Sequence, residues 1–363
     1  MGMRTSMRGV VFLAALAALG TLATAQQAKP TPAGLRILSD TTLPQAFEWA
    51  SDIRWASERS VYLAVAKDGT VEMSLDPQGP PPKEMIAGSS KPGGFWASHR
   101  VAVSSRYLVV AGPALSLTWR PLAEPTRTEM PFEGIQGIDA RENRLAIVGL
   151  RRDEKGRIGA DGAIAWLGSL DQKLADLTPL LYDAGGPGTP AMNRCVGAPL
   201  GAARFLPDGS LAVLPGTQPG VSLYDDKGKL VHTWDTGALG IDTDCVGLSE
   251  ESARRLSAHA PERHAWMNQR RIVDALLPLS QGPGLVVRRV ERGRTRWELK
   301  VLRREGPAQS FAIPIEGENE FFSLRGDVRS GKIVFLLREM VFRGGGRDHP
   351  RLPRVIVAQP PAG

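Results

Sequence analysis

The chain has 363 residues, a formal net charge of +7 and two cysteines. After residue 25 no stretch approaches 18 apolar residues, which excludes a membrane-spanning helix, and neither cysteine has a second Cys or a His within a few residues, which argues against a zinc module. The positive charge is uneven: residues 250–354 carry 21 Lys or Arg against 13 Asp or Glu, whereas residues 26–249 carry a net −3.

Residues 1–25 read as an export signal. Arg4 and Arg8 form a positive n-region, Val10–Leu22 is an apolar run of 13 residues, and Ala23-Thr24-Ala25 supplies the small residues a signal peptidase accepts. The mature chain is expected to begin at Gln26, in the periplasm or outside the cell. In that oxidising setting Cys195 and Cys245 are expected to form a disulfide, and their 50-residue separation predicts a loop-closure gain of about 3–4 kcal/mol.

A Pro- and Gly-rich lead, residues 26–34, is expected to be flexible, followed by a short strand at Leu35–Leu38. Six strand–turn units then follow, starting near residues 49, 96, 135, 201, 272 and 321, an average pitch of about 54 residues. The second unit aligns with the first almost residue for residue: Trp96-Ala-Ser-His against Trp49-Ala-Ser-Asp, and Arg106-Tyr-Leu-Val-Val-Ala111 against Val61-Tyr-Leu-Ala-Val-Ala66. The fourth is the fullest, with Phe205-Leu-Pro-Asp-Gly-Ser-Leu-Ala-Val213 followed by Val221-Ser-Leu-Tyr-Asp-Asp-Lys-Gly-Lys-Leu230.

The two long gaps follow the third and fourth units, and each holds a cysteine. After the fourth, Ser249 followed by Glu250 and Glu251 is a helix start, and Pro261 opens a second helix through Trp266, Val273 and Leu277. A short helical insertion over residues 249–275 is therefore expected.

The fold class is all-β: a single six-bladed β-propeller over residues 35–363, with seven blades as the alternative count. The last strand, Arg354–Val357, is expected to close the ring beside Leu35–Leu38. The fourth unit resembles secreted bacterial six-bladed propellers of the NHL-repeat and TolB-like kind. That resemblance implies the fold and no particular activity, because such propellers host binding modules, scaffolds, lyases and hydrolases.

Motif-like strings fail on context. Gly326-Asp-Val-Arg-Ser-Gly-Lys332 fits the start of a phosphate loop, but Ile333 stands where Ser or Thr would hold magnesium, and the flanks read as a hairpin. His259, Glu262 and His264 are spaced wrongly for a helical metal site. The arginines of Val286–Arg292 and Arg294–Arg303 alternate with apolar residues, which places them on solvated strand faces rather than at a polyanion site. Most of the eight tryptophans fall on strands and are expected to pack between blades.

One cluster depends on the disulfide. A bond between Cys195 and Cys245 would bring Asn193 and Arg194 near Asp242 and Asp244, with Arg270 and Arg271 in the adjoining insertion. Those groups suit a structural tie, a polar ligand or a hard cation such as calcium. The expected function is an exported, monomeric, non-catalytic module binding an unknown protein or small polar ligand, with no nucleic acid, no required cofactor and no membrane span. The alternative is a propeller hydrolase or lyase acting on a sugar or lactone, with acids at the mouth of the central channel.

Overall fold

The computed structural model describes residues 33–65, 69–86, 100–111, 116–123, 128–151, 161–174, 176–183, 201–242, 249–339 and 350–361, with residues 153, 155, 157 and 159. The export signal expected at residues 1–25 lies outside them, as does most of the lead. Strand β1 (Arg36–Thr42) comes first in the chain and last in the ring. Blade 1 is β2 (Ala50–Trp55), β3 (Ser60–Val65), β4 (Gly69–Ser74) and β5 (Lys83–Ile86). Blade 2 is β6 (Arg100–Val103), β7 (Tyr107–Ala111), β8 (Ser116–Pro121) and the first part of β9 (Thr128–Arg141). The rest of β9 is the innermost strand of blade 3, completed by β10 (Arg144–Arg151), β11 (Ala163–Ser169) and β12 (Thr178–Tyr182). One 14-residue strand thus serves two blades, joining them in a seven-stranded sheet.

Blade 4 is β13 (Ala202–Phe205), β14 (Leu211–Leu214), β15 (Val221–Tyr224) and β16 (Leu230–Trp234). Blade 5 is β17 (Ile272–Leu279), β18 (Gly282–Glu291), β19 (Arg294–Val301) and β20 (Gln309–Gly317). Blade 6 is β21 (Phe322–Arg329), β22 (Lys332–Glu339) and β23 (Arg354–Gln359), closed by β1 antiparallel to β23 with Thr41 opposite Val355. The chain is a six-bladed β-propeller whose ring is fastened by its own first strand, as the sequence implies. Just before β1, the amide of Leu35 donates to Ala312 O and Ala312 N donates to Ala33 O, so the chain also crosses to blade 5.

Each blade is covered on both faces by its neighbours, so inner strands carry apolar groups at successive positions; all six residues of β2 are buried. Ile53 and Trp55 of blade 1 pack with Val334, Leu336 and Val355 of blade 6 in one such layer. Trp119, Trp166 and Trp297 are likewise buried. The string that resembled a phosphate loop is a two-residue hairpin: Arg329 pairs with Lys332, and Ser330 and Gly331 adopt φ of 48° and 73°, as a type I′ turn requires.

Two sequence expectations are corrected. The helical insertion is shorter than 249–275. It comprises α1 (Glu250–Ala258), whose cap Ser249 accepts from the Ser252 amide, and α2 (Ala260–Asn268). Val273 and Leu277 belong to β17, because a four-residue spacing suits one strand face as well as one helix face, and Ile272–Leu279 is apolar on both. Arg288 is not solvated: it is 1% exposed, because this stretch of β18 is buried on both faces, whereas Arg294 and Arg296 of β19 are exposed in alternation as expected. Among the described residues, no helix is long and apolar enough to cross a membrane.

Candidate functional site

The inner strands β2, β6, β9, β13, β17 and β21 surround the central channel, and four of them place an aspartate in the middle of an apolar run. Each carboxylate accepts a backbone amide from the next blade around the ring. Asp52 Oδ2 accepts Val101 N at 3.1 Å, Asp139 Oδ2 accepts Phe205 N at 2.7 Å, Asp274 Oδ2 accepts Leu324 N at 3.1 Å, and Asp327 Oδ2 accepts Trp55 N at 2.9 Å. An inner strand has spare amides on its channel side, and a buried amide without an acceptor is costly, so the aspartates complete the backbone pairing between blades. Asp274 also accepts the Trp297 indole N–H at 2.7 Å.

Arginines interleave with these carboxylates. Arg54 pairs with Asp52 at 3.0 Å and reaches Ile138 O across the channel at 3.5 Å. Arg204 spans it more fully, meeting Asp139 at 3.3 Å, Asp327 at 3.5 Å, Leu276 O at 2.9 Å and Gly326 O at 2.7 Å. Arg288 lies 3.9 Å from Asp274 and donates to Phe322 O. Arg100 donates to Gln136 O at 2.8 Å, and Arg325 donates to Asp274 O. Arg338 stands opposite Ser323 on the second strand of blade 6.

The electrostatics are lopsided. Burial alone would raise the pKa of Asp52, but Arg54, then Arg100 and Arg204, hold it below the usual carboxylate value. At Asp139 burial prevails over Arg204 and Arg54, and the pKa is raised. Burial, then repulsion from Arg325, drives Arg100 well below the usual arginine range despite the attraction of Asp52. Arg325 is lowered, burial outweighing Asp274, and Arg338 falls to about 10 through burial and the neighbouring Arg325.

Arg54 and Arg204 fill the middle of the channel and leave a cavity on either side. The one toward the start of the inner strands, the entry end, is narrow, about 20 Å³, and is walled by Arg54, Arg100, Arg204 and Arg325 with Asp52 and Asp274. The one toward their ends is a bowl of about 280 Å³ with an apolar rim that includes Trp55, Phe205 and Pro278 and with Asp139 and Asp327 in its wall.

Of the residues singled out from sequence, the structure brings three together. Asp242 Oδ2 accepts the Arg271 amide at 2.9 Å, Asp242 N donates to Arg271 O at 2.7 Å, and Arg270 lies 3.7 Å from Asp242 Oδ1 with its guanidinium 4.2 Å from the Trp266 ring centre. This clasp joins the chain leaving blade 4 to the chain entering β17, and Arg271 pairs onward with Glu298. Asn193, Arg194, Cys195, Asp244 and Cys245 lie outside the described residues. Among the described residues, no three His, Cys, Asp or Glu side chains are grouped to hold a metal. The sequence reading missed the channel set, although a signal was present: Asp52-x-Arg54 and Arg325-x-Asp327 put opposite charges on one face of an otherwise apolar strand.

No family model and no curated relative matches the chain. Solved structures do. A member of the DUF4221 family from Bacteroides vulgatus has a TM-score of 0.53 at 8% identity, covering 91% of this chain and 98% of that one. An auxiliary nutrient binding protein from Bacteroides thetaiotaomicron has a TM-score of 0.49 at 9% identity, covering 91% and 75%. Virginiamycin B lyase from Staphylococcus aureus has a TM-score of 0.46 at 8% identity, covering 89% and 98%. At such identities the likeness is one of fold: this chain is a six-bladed β-propeller whose neighbours differ in function.

Proposed function

We propose that this protein is an exported, non-catalytic propeller that works as a ligand- or protein-binding module. The observation that carries the reading is the use made of the channel carboxylates. A propeller hydrolase or lyase needs acids free to coordinate, protonate or attack. Here Asp52, Asp139, Asp274 and Asp327 each accept an amide of the next blade, and Asp52, Asp139 and Asp327 also ion-pair with an arginine within 3.5 Å. Those carboxylates hold the ring together, and binding is left to what the ring presents at its ends. The reading of residues 1–25 as an export signal supports a periplasmic or extracellular setting for that binding.

The test is an Asn series at the four aspartates, followed by thermal melts alongside assays of lactone, ester and polysaccharide turnover. The expected result is a lowered Tm in each variant and no turnover in the wild type. Turnover by the wild type that is abolished in a variant of unchanged Tm would overturn the reading and make the channel an active site.

A further inference from the structure

The exit end of the channel opens into the bowl of about 280 Å³, and the side chains of its wall are of two kinds. Val103, Pro207, Pro278 and Val328 come from blades 2, 4, 5 and 6, and all four keep part of their surface exposed. With them stand five charged side chains, Arg54, Arg141, Arg329, Asp139 and Asp327. These charges are already engaged within the protein. Arg54 pairs with Asp52 at 3.0 Å, Arg329 pairs with Glu58 at 3.4 Å, and Arg204 lies 3.3 Å from Asp139 and 3.5 Å from Asp327. Arg141 donates to Leu206 O, and to Pro207 O at 3.2 Å.

Such a wall is inhospitable to an ion of either sign. An anion would face Asp139 and Asp327, a cation would face three guanidiniums, and either would have to displace a partner to repay its dehydration. Hydrogen-bonding capacity does remain. An ionised carboxylate offers about four lone-pair positions, and Asp139 and Asp327 each meet one backbone amide and Arg204. On the donor side, Arg54 Nε and Trp55 Nε1, both in residues of this wall, are buried without a partner among the described residues. Such donors are rare, and an acceptor brought by a ligand or its water relieves their cost. A hydroxyl both donates to a carboxylate and accepts from an N–H.

From this geometry we infer that the bowl is a binding site for one neutral sugar ring, whose hydroxyls meet Asp139, Asp327 and Arg54 while a C–H face lies against Val103, Pro207, Pro278 and Val328. Small-molecule pockets run to roughly 300–1,000 Å³. At the lower edge of that range, the bowl admits one ring and leaves any further part of a saccharide outside. The inference rests on the binding reading above and gives it a ligand class.

The experiment uses the full mature chain, titrated by calorimetry with the methyl glycosides of glucose, galactose, mannose and N-acetylglucosamine, and in parallel with glucuronate, glucosamine and sorbitol. The expected result is saturable one-site binding of at least one glycoside, weaker binding of the charged sugars, and no saturation by sorbitol, which has the hydroxyls without the ring face. Val328→Trp, which fills the bowl from a half-buried position, is expected to weaken that binding at least about tenfold. Pro278→Trp, from blade 5, serves as the second variant should Val328→Trp fold poorly, with the same loss expected. Arg294→Gln, exposed on β19, is expected to change nothing.

Absence of saturable binding by every glycoside would overturn the inference, as would tighter binding of glucuronate or glucosamine than of methyl glucoside. Equal affinity in wild type, Val328→Trp and Pro278→Trp would put the sugar elsewhere and overturn the site. A Tm rise that sorbitol reproduces, without saturable heat, is the exclusion effect of polyols and counts against it. These outcomes leave the binding reading standing. Turnover of a glycoside that Val328→Trp abolishes would do the reverse, ending the non-catalytic reading and keeping the site.

Discussion

Replacing Asp274 with Ala is the sharpest test of how the ring is held. Its Oδ2 accepts the Trp297 indole N–H at 2.7 Å and the Leu324 amide at 3.1 Å, and its Oδ1 lies 3.9 Å from the Arg288 guanidinium. All of these groups are buried: Asp274 is 6% exposed, Trp297 3% and Arg288 1%. Two buried donors left without an acceptor cost about 1–3 kcal/mol each. Removing one partner of a buried ion pair costs about 3–5 kcal/mol. The two costs overlap, because water entering the vacated space serves both, so a loss of about 5 kcal/mol is expected. With an unfolding entropy of ~2.1 cal/mol/K per residue, a domain of roughly 330 residues would then melt about 7 °C lower. Calorimetry of Asp274→Ala beside Glu316→Ala is the assay. Glu316 pairs with Arg294 and Arg296 on an exposed edge, where such pairs are worth about 0–1 kcal/mol. Equal shifts in the two variants would refute the claim that the channel aspartates stitch blades together.

Three further outcomes follow from the same structure. The folded pKa of Asp52 lies below its ordinary 3.8, so its stabilising contribution is fully present above that value and is lost as pH falls through the lower folded value. Asp52→Asn should therefore lower Tm at neutral pH and cost progressively less below pH 3.8, and a deficit that stays constant through acid titration would contradict the assignment. Gly137 of blade 3 lies so close to blade 4 that an added Cβ would meet Ala202 Cα at 2.6 Å and Gly201 O at 2.8 Å, both backbone atoms. Gly137→Ala should cost about 1–3 kcal/mol by forcing the blades apart, and an unchanged denaturation midpoint would show that the ring yields more easily than this. Replacing Cys195 and Cys245 with Ser should destabilise the oxidised protein by about 3–4 kcal/mol; two titratable thiols in the unreduced, denatured wild type would dispose of the bond.

The units and their order were legible because each carries local signals that survive in one dimension. Strand starts near residues 201, 272 and 321 fall within a residue of β13, β17 and β21, and the closing strand is found where the two terminal apolar runs suggested it. What escaped was which face of a strand meets solvent. Alternation is a reliable guide where one face of a sheet is wet, as along β19, but most of β18 is dry on both. Arg288 in Val286-Val-Arg-Arg-Val thus read as surface and is core, while its neighbour Arg289 is exposed enough to pair with Glu291 at the rim. The unit start near 135 marks the boundary between blades 2 and 3, but that one strand, Thr128–Arg141, runs through it and serves both blades is shown only by the three-dimensional pairing. The four channel aspartates come from four separate blades, and nothing short of closing the ring reveals that Asp327 serves Trp55 across 272 residues.

The charge on the channel arginines goes beyond what lacing the ring requires. Each aspartate stitches one blade to the next in the same rotational sense, and the carbonyl-directed arginines add to that lacing: Arg204 ties blade 4 to blades 5 and 6, and Arg100 ties blade 2 to blade 3. A neutral amide could donate to a carbonyl oxygen at a far smaller desolvation cost than a buried guanidinium, so lacing alone does not require charge.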